Sequence, residues 1–265
     1  PERFFDCGIA ECNMIGVAAG LATCGKIPFA ASFAMFSAGR AFEQVRNSVG
    51  YPKLNVKVVG SHAGISVGED GATHQCCEDI ALMRTIPGMV ILNPSDHYEM
   101  KAAVRAAIEH KGPCYIRLGR LAVESINNND DYHFELGKGI QLREGTDITI
   151  VATGLMVAEA VKAAKTLEAE GISAEVINIH TIKPLDEEII LNSAKKTGRV
   201  VTVEEHNIIG GLGEAVAAVL SEKCPTPVTR IGVNDVFGHS GPAVDLLKEF
   251  GLSAEHIAEV VREKL

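Results

Sequence analysis

Two histidines and two acidic residues lie in one glycine-rich segment, GSHAGISVGEDGATHQ, which spans residues 60–75. The four residues are His62, Glu69, Asp70 and His74. Groups of this kind serve in binding and proton transfer, and a long glycine-rich loop that carries them is usually functional. The alternative is a surface crossover with solvated charges. The segment has neither a helical HxxxH pattern nor paired cysteines, which argues against a zinc site.

A single carboxylate, Glu11, opens a run of small and aliphatic residues near the start of the chain. The pattern predicts a short strand from Phe4 to Cys7, a glycine turn and a helix with almost no polar face, so we expect the helix to be buried. A carboxylate held there either carries a proton or binds a specific donor. The alternative is that Glu11 only complements the helix dipole.

Two arginines and two phenylalanines follow other predicted strands. Arg117 and Arg120 flank the end of the segment CYIRLG, where either could bind an anion or remain solvated. Phe33 and Phe36 have the spacing of a core pair, and they could also form a platform for a flat heterocycle.

A second glycine-rich turn, GGLGE at residues 210–214, hints at a phosphate loop. It does not have the GxGxxG pattern, and Glu214 would repel an anion at a helix start. We interpret it as tight strand–helix packing. His206 just before it is interpreted as structural, and His239 is given no role.

The elements that must position these residues follow a βαβ rhythm. This rhythm predicts an α/β fold of two domains, each a mainly parallel sheet with helices on both faces. The predicted boundaries are residues 1–122, a polar linker at 123–145, and residues 146–265. Segment 60–75 follows a predicted strand, and ligands bind at the carboxyl ends of strands in such sheets. The predicted strands are 4–7, 27–32, 54–59, 89–94, 114–119, 148–153, 174–179, 199–204 and 227–233.

The composition of the 265 residues is that of a globular enzyme, with 46% hydrophobic and 22% charged residues. A net charge of −9 argues against nucleic acid or an anionic membrane as the main partner. We see no apolar run of the ~18 residues that a membrane span needs, and no signal peptide. The seven scattered cysteines predict reduced thiols in a cytoplasmic protein. Because the chain moves from Pro1 directly into a predicted strand, we expect an upstream segment to be missing.

Taken together, these segments resemble transketolase over essentially the whole chain. The motifs that carry the resemblance are FFDCGIAECNMIGVAAGLA, SFAMFSAGRAFEQVRNS, GSHAGISVGEDGATHQ, PSD at residues 94–96, CYIRLGR and VTVEEHNIIGGLGEAV. They match the pyrimidine-binding and C-terminal domains only. The diphosphate-binding domain, with its GDG metal signature, would lie upstream. We therefore expect the C-terminal subunit of a split transketolase, or a fragment of a full-length one.

The resemblance implies that Glu11 hydrogen-bonds the N1′ nitrogen of the thiamine diphosphate aminopyrimidine. A carboxylate there favours the imino tautomer, whose exocyclic nitrogen can remove the thiazolium C2 proton. Phe33 and Phe36 match the aromatic pair around the pyrimidine ring. Many members carry a third aromatic residue at the position that is Gly39 here.

The resemblance also implies the substrate contacts. His62 and Arg120 match positions that hold the sugar phosphate, and Asp70 matches a residue that reads a substrate hydroxyl. His74 matches a residue near the reacting carbons, as a hydrogen-bond donor or proton carrier. For the C-terminal domain the family implies no catalytic residue, only dimer contacts and regulation.

The implied activity is transfer of a two-carbon ketol unit between phosphorylated sugars, as in the pentose phosphate pathway. Mg²⁺ would be held by the missing half or by a partner chain, and no metal ligand is expected on this chain. The expected partner is a transketolase N-terminal subunit or domain, in a homodimer or a heterotetramer.

Three alternatives remain. 1-Deoxyxylulose-5-phosphate synthase typically carries an Asp-Arg pair where this chain has Ser61-His62. The beta subunits of 2-oxo-acid dehydrogenases lack His62 and the context of Arg120. A non-catalytic, transketolase-like interaction subunit would be marked by loss of Glu11 or His74, and both are present.

Overall fold

The computed structural model describes residues 2–127 and 132–265. Its first sheet has four parallel strands from the first half of the chain, in the order β1-β2-β4-β3. Most residues of the inner strands are buried, which is typical of parallel strands covered on both faces. The strands are β1 (Phe29–Phe33), β2 (Lys57–Ser61), β3 (Val90–Leu92) and β4 (Cys114–Arg117).

The helices of this half are α1 (Glu11–Thr23), α2 (Phe42–Gln44), α3 (Asp79–Arg84) and α4 (His97–Glu109). Two π-helical segments, Met35–Arg40 and Val45–Gly50, flank the short α2. Asp96 of the PSD motif caps α4, because its side chain accepts a hydrogen bond from the Glu99 backbone N–H at 2.9 Å.

The second half of the chain builds a second five-stranded sheet in the order β10-β9-β6-β7-β5. The strands pair in parallel, except that β5 is antiparallel to β7. The strands, with β8, are β5 (Ile140–Arg143), β6 (Ile148–Ala152), β7 (Ala174–Asn178), β8 (Thr181–Lys183), β9 (Val200–Asn207) and β10 (Val228–Val233). The helices are α5 (Met156–Ala169), α6 (Glu187–Thr197), α7 (Leu212–Lys223), α8 (Ala243–Glu249) and α9 (Ala254–Lys264).

The strand β8 belongs to the second half in sequence but completes the first sheet. It pairs antiparallel with β3, where Ile91 lies opposite Lys183 and Leu92 opposite Thr181. The Lys183 ammonium also donates hydrogen bonds to the backbone oxygens of Arg84 and Ile86, at 2.7 and 2.8 Å. The two halves therefore share one sheet, which the sequence pattern did not predict.

The predicted α/β fold with two mainly parallel sheets is confirmed, and each predicted strand except the first is present with shifted ends. The prediction of a strand from Phe4 to Cys7 is wrong. This segment is irregular, and the exposed fractions of Phe4 and Phe5 are 77% and 62%. The apolar residues mark an exposed surface of this chain and not a strand in its core.

The helix α1 is buried on one side only, so the expectation of a fully buried helix is also wrong. Ile15, Ala18 and Ala19 face the core together with Glu11, whereas Val17 on the other side is 39% exposed. The exposed side consists mainly of small residues. The predicted linker at 123–145 lies partly outside the described residues, since residues 128–131 are not described.

Candidate active site

The Glu11 carboxylate lies at the start of α1, and its residue is 7% exposed. The Ser32 hydroxyl donates a hydrogen bond to Oε1 at 3.1 Å. The other oxygen, Oε2, is buried and has no hydrogen-bond partner among the described residues. The Arg40 guanidinium approaches Oε2 only to 4.0 Å. One carboxylate oxygen is thus available to a donor from outside residues 2–127 and 132–265.

An aromatic cluster lies beside this carboxylate. The rings of Phe33 and Phe36 are nearly parallel, with centroids 6.3 Å apart. His62 stacks on Phe33 at 4.1 Å, and His74 meets the Phe36 ring edge-on at 5.2 Å. The Arg40 guanidinium lies 5.1 Å from the Phe36 centroid and so links the cluster to Glu11.

Strand pairing explains why these distant residues meet. In the parallel pair β1 and β2, Phe33 lies opposite Ser61. The loop after β2, which carries His62, therefore begins next to the aromatic pair. The π-helical turn after β1 places Phe36 and Arg40 above the same strand end. Such π-helical segments are frequent at functional sites.

The position of Gly39 affects the wall of this cluster. A Cβ atom added at Gly39 would lie 2.2 Å from the Met35 Cε atom. The flexible Met35 side chain therefore occupies the space beside Gly39, the position at which many members of the family that the sequence resembles carry an aromatic residue.

His62 adopts a left-handed backbone conformation, with φ of 57°. Its Nδ1 atom shares a hydrogen bond with the Ser61 hydroxyl at 3.0 Å. Burial and the positive charge of Arg120 lower the pKa of His62, and Asp70 opposes this shift. His62 is therefore a neutral imidazole at neutral pH.

The Arg120 guanidinium lies at the outer end of this group. Its Nη1 atom donates to the Val67 backbone oxygen at 2.5 Å and to Asp70 Oδ2 at 3.2 Å. Glu69 is 4.0 Å away. The Arg120 side chain is 39% exposed, so part of its fork can reach a ligand from solvent.

Arg117 is not part of this group, although the sequence left both arginines as candidates. Its Nε atom donates to Asp79 Oδ2 at 2.9 Å, and its Nη2 atom donates to the Glu205 backbone oxygen at 2.7 Å. The Tyr115 hydroxyl donates to the same Asp79 oxygen at 2.7 Å. Arg117 is buried in this network and holds the two halves together.

The structure thus brings all seven predicted site residues to the carboxyl end of the first sheet. They are Glu11, Phe33, Phe36, His62, Asp70, His74 and Arg120. The reasoning from sequence missed Arg40, Gln75 and Glu205. The signal for Glu205 was an acidic pair in the otherwise apolar strand VVTVEEHN.

The GGLGE turn is a packing turn, as interpreted from the sequence. The Glu204 carboxylate accepts hydrogen bonds from the backbone N–H groups of Leu212 and Gly213, at 2.7 and 2.8 Å. The N-terminus of α7 therefore already holds an anionic group, which leaves these amides unavailable to a phosphate.

In residues 2–127 and 132–265, no cluster of three or more His, Cys, Asp or Glu side chains is arranged to hold a metal ion. The helices of the same residues are all too short or too polar to cross a membrane.

Comparison with known families and proteins shows the family of this chain. Residues 1–125 match the family model described as the transketolase pyrimidine binding domain, and residues 137–257 match the transketolase C-terminal domain. A putative transketolase C-terminal section of Methanocaldococcus jannaschii is 56% identical over 100% of this chain and 84% of that protein. A 6-deoxy-6-sulfo-D-fructose transketolase subunit of a Clostridium species is 51% identical, over 99% of this chain and 81% of that protein.

A solved structure has the same fold over nearly the whole chain. It is described as a split gene transketolase, inactive beta4 tetramer, and superimposes with a TM-score of 0.93. The two are 55% identical, and the match covers 99% of this chain and 84% of that one. Two family models and these relatives agree on the assignment: this chain belongs to the transketolase family and corresponds to its pyrimidine-binding and C-terminal domains.

Proposed function

We propose that this chain provides the pyrimidine-binding half of a thiamine diphosphate-dependent transketolase active site. In this proposal it works with a diphosphate-binding chain or domain, which holds Mg²⁺, and transfers a two-carbon ketol unit between phosphorylated sugars. The single observation that carries the proposal is the buried Oε2 atom of Glu11, which lacks a hydrogen-bond partner among the described residues and lies beside an aromatic cluster.

The acceptor oxygen of Glu11 and the two phenylalanine rings fit an aminopyrimidine. A buried acceptor without a partner is costly, so it favours a ligand that brings a donor. A protonated ring nitrogen provides one such donor, and the Phe33 and Phe36 rings provide apolar surface for a flat heterocycle. When bound, thiamine diphosphate supplies a carbanion that can attack a ketose carbonyl. Glu11 would hold the pyrimidine in the tautomer that this chemistry needs.

The other candidate residues would bind the sugar substrates. The half-exposed Arg120 fork and the neutral His62 imidazole are suited to a phosphate group at the rim. Asp70 can accept a hydrogen bond from a sugar hydroxyl. His74 lies edge-on to Phe36, so it would lie close to a heterocycle held by Phe33 and Phe36. This position supports a role as a proton donor.

The need for a partner is supported by two observations. Val17 on the outer side of α1 and the nearby segment with Phe4 and Phe5 expose apolar side chains next to Glu11 in sequence. The matched relatives are described as a C-terminal section and as a subunit.

Reconstitution tests the proposal. The chain is purified alone and with a diphosphate-binding transketolase subunit, and each preparation is assayed with ribose 5-phosphate and xylulose 5-phosphate plus thiamine diphosphate and Mg²⁺. We expect ketol transfer only from the mixture. Full activity of the chain alone would contradict the shared site. Activity only with pyruvate and glyceraldehyde 3-phosphate would favour the synthase alternative, and no activity with either pair would favour an interaction subunit.

A further inference from the structure

Two neighbouring acidic residues on β9, Glu204 and Glu205, are both buried but bind different parts of the molecule. Successive side chains of a strand point to opposite faces. The Glu204 carboxylate binds the backbone of α7 within the same half of the chain. The Glu205 carboxylate crosses to the first half and binds the loop at residues 60–75.

The contact of Glu205 with this loop is direct. Its Oε1 atom accepts a hydrogen bond from the backbone N–H of Ser66 at 2.6 Å, and both residues are buried. Gly64, with φ of 85°, lies so close that an added Cβ atom would be 2.4 Å from Oε1. The loop backbone therefore rests on the carboxylate, and only glycine fits at residue 64.

A second attachment lies at the other end of the loop. The Gln75 amide donates to the His239 backbone oxygen at 3.0 Å and to the Ile65 backbone oxygen at 3.2 Å. A Cβ atom added at Gly71 would lie 2.4 Å from the Ser240 hydroxyl oxygen. The loop is thus seated on the second half of the chain along its length, between Gly64 and Gln75.

A buried cation, Arg117, lies next to Glu205. Arg117 binds the Glu205 backbone oxygen and pairs with Asp79. Burial raises the pKa of Glu205, and the charge of Arg117 opposes that shift. A buried carboxyl group that accepts a hydrogen bond from a backbone amide fixes that amide in position.

We propose that Glu205 is a positioning residue for sugar binding and that the C-terminal domain, through Glu205 and Gln75, sets the geometry of the loop carrying His62, Asp70 and His74. The inference rests on the proposed function, because it assigns the loop to the substrate. Small displacements of such residues are costly, and a shift of 1 Å can reduce a rate about a hundredfold.

Three variants of the chain, each assembled with the diphosphate-binding subunit, test this inference. Glu205→Ala leaves the Ser66 amide without its acceptor, and we expect kcat/KM for the sugar pair to fall about tenfold or more. Glu205→Gln keeps an acceptor oxygen and should restore most of kcat/KM. Glu204→Ala is the matched control, since it removes the neighbouring carboxylate and should lower Tm without changing KM for the sugars. Cofactor affinity, followed by circular dichroism, should stay the same in all three.

Amide hydrogen exchange gives a readout that does not depend on activity. Exchange of the segment around Ser66 should be faster in Glu205→Ala than in Glu204→Ala. Equal exchange in these variants, or a Glu205→Gln variant as impaired as Glu205→Ala, would overturn the inference. If the wild-type assembly shows no ketol transfer, the proposed function fails, and the exchange result still decides whether Glu205 fixes the loop.

Gln75→Met serves if Glu205→Ala does not fold. It breaks the second attachment and leaves Glu205 in place, so it should produce the same fall in kcat/KM and the same faster exchange. An unchanged Gln75→Met enzyme with unchanged exchange would contradict the role of the C-terminal domain.

Discussion

Glu11 and Glu204 are both buried carboxylates at helix N-termini, one at α1 and the other at α7. Glu204, which lies on β9, accepts hydrogen bonds with both oxygens from the backbone amides at the start of α7, at 2.7 and 2.8 Å. Glu11 has one oxygen bound by Ser32, and its second oxygen has no partner in the described parts of the chain. The comparison shows that burial alone does not mark a site. At Glu11 the proposed site is supported by the oxygen without a partner together with the neighbouring Phe33 and Phe36 rings.

The largest expected effect separates these two acids. In the assembled enzyme, Glu11→Ala should lower activity by about 10²- to 10⁴-fold, because a group that controls a proton position contributes about that much. Its folding should be nearly unchanged. Glu204→Ala should show the reverse, with an intact turnover number and a free energy of unfolding lower by about 1–3 kcal/mol. Steady-state kinetics and urea unfolding measure the pair. Near-normal turnover in Glu11→Ala would remove Glu11 from the site.

The two arginines extend the comparison. Arg117→Met should lower the free energy of unfolding by about 3–5 kcal/mol, because it leaves the buried Asp79 carboxylate without its cation. Arg120→Met, at the half-exposed partner of Asp70, should change that free energy by no more than about 1 kcal/mol. Urea unfolding of both variants checks this, and equal destabilisation would contradict the division between a structural and a site arginine.

His180 is a further buried residue with an atom that lacks a hydrogen-bond partner within the part of the chain that the structure describes, and it is not among the candidate site residues. Its Nε2 atom has no hydrogen-bond partner in residues 2–127 and 132–265, and Phe134 stacks on the ring at 4.1 Å. Burial lowers the pKa of His180 to about 4. The unfolded chain takes up a proton below about pH 6.5 and the folded chain does not. Stability should therefore be fully present above pH 6.5 and be lost as the pH falls towards 4, by up to about 3 kcal/mol.

His180→Asn should remove this part of the pH dependence, measured as the free energy of unfolding between pH 4 and 7. The control is His133→Asn, at an exposed position, which should keep it. The same acid sensitivity in His180→Asn and the wild type would assign the effect to another group.

The smallest expected effect concerns the rim of the site. Arg120→Ala should raise KM for phosphorylated sugars about ten- to a hundredfold, since a hydrogen bond to a charged group contributes about 1.5–3 kcal/mol. The value of kcat should change less, because a contact remote from the reacting carbons contributes mostly uniform binding. A sugar without phosphate provides the control and should show no change in KM. An unchanged KM for the phosphorylated sugar would exclude Arg120 from the phosphate site.

Much of the fold could be predicted because its signals are local. Apolar runs of strand length are visible in the residues themselves. The joining of β8 to β3 was not predictable, since three residues carry too little pattern to indicate a partner far away in sequence. The segment at Phe4 was mistaken for a strand because exposed and buried apolar runs have the same composition.

The same limit applies to the candidate site. Its first-half residues were found from motifs, because each lies in or directly after a recognisable element. Glu205 was not found from the sequence, because its contact with Ser66 joins residues that are 139 positions apart. Only the three-dimensional structure shows which of two adjacent acids crosses between the halves.

The antiparallel strand β8 has a practical consequence for anyone who divides this chain. Expressing residues 1–122 alone would remove β8 from the edge of β3 and leave amide and carbonyl groups of β3 unpaired along an apolar border. Such a fragment would be prone to self-association. A cut placed after residue 183 would carry the missing strand along and shield that border.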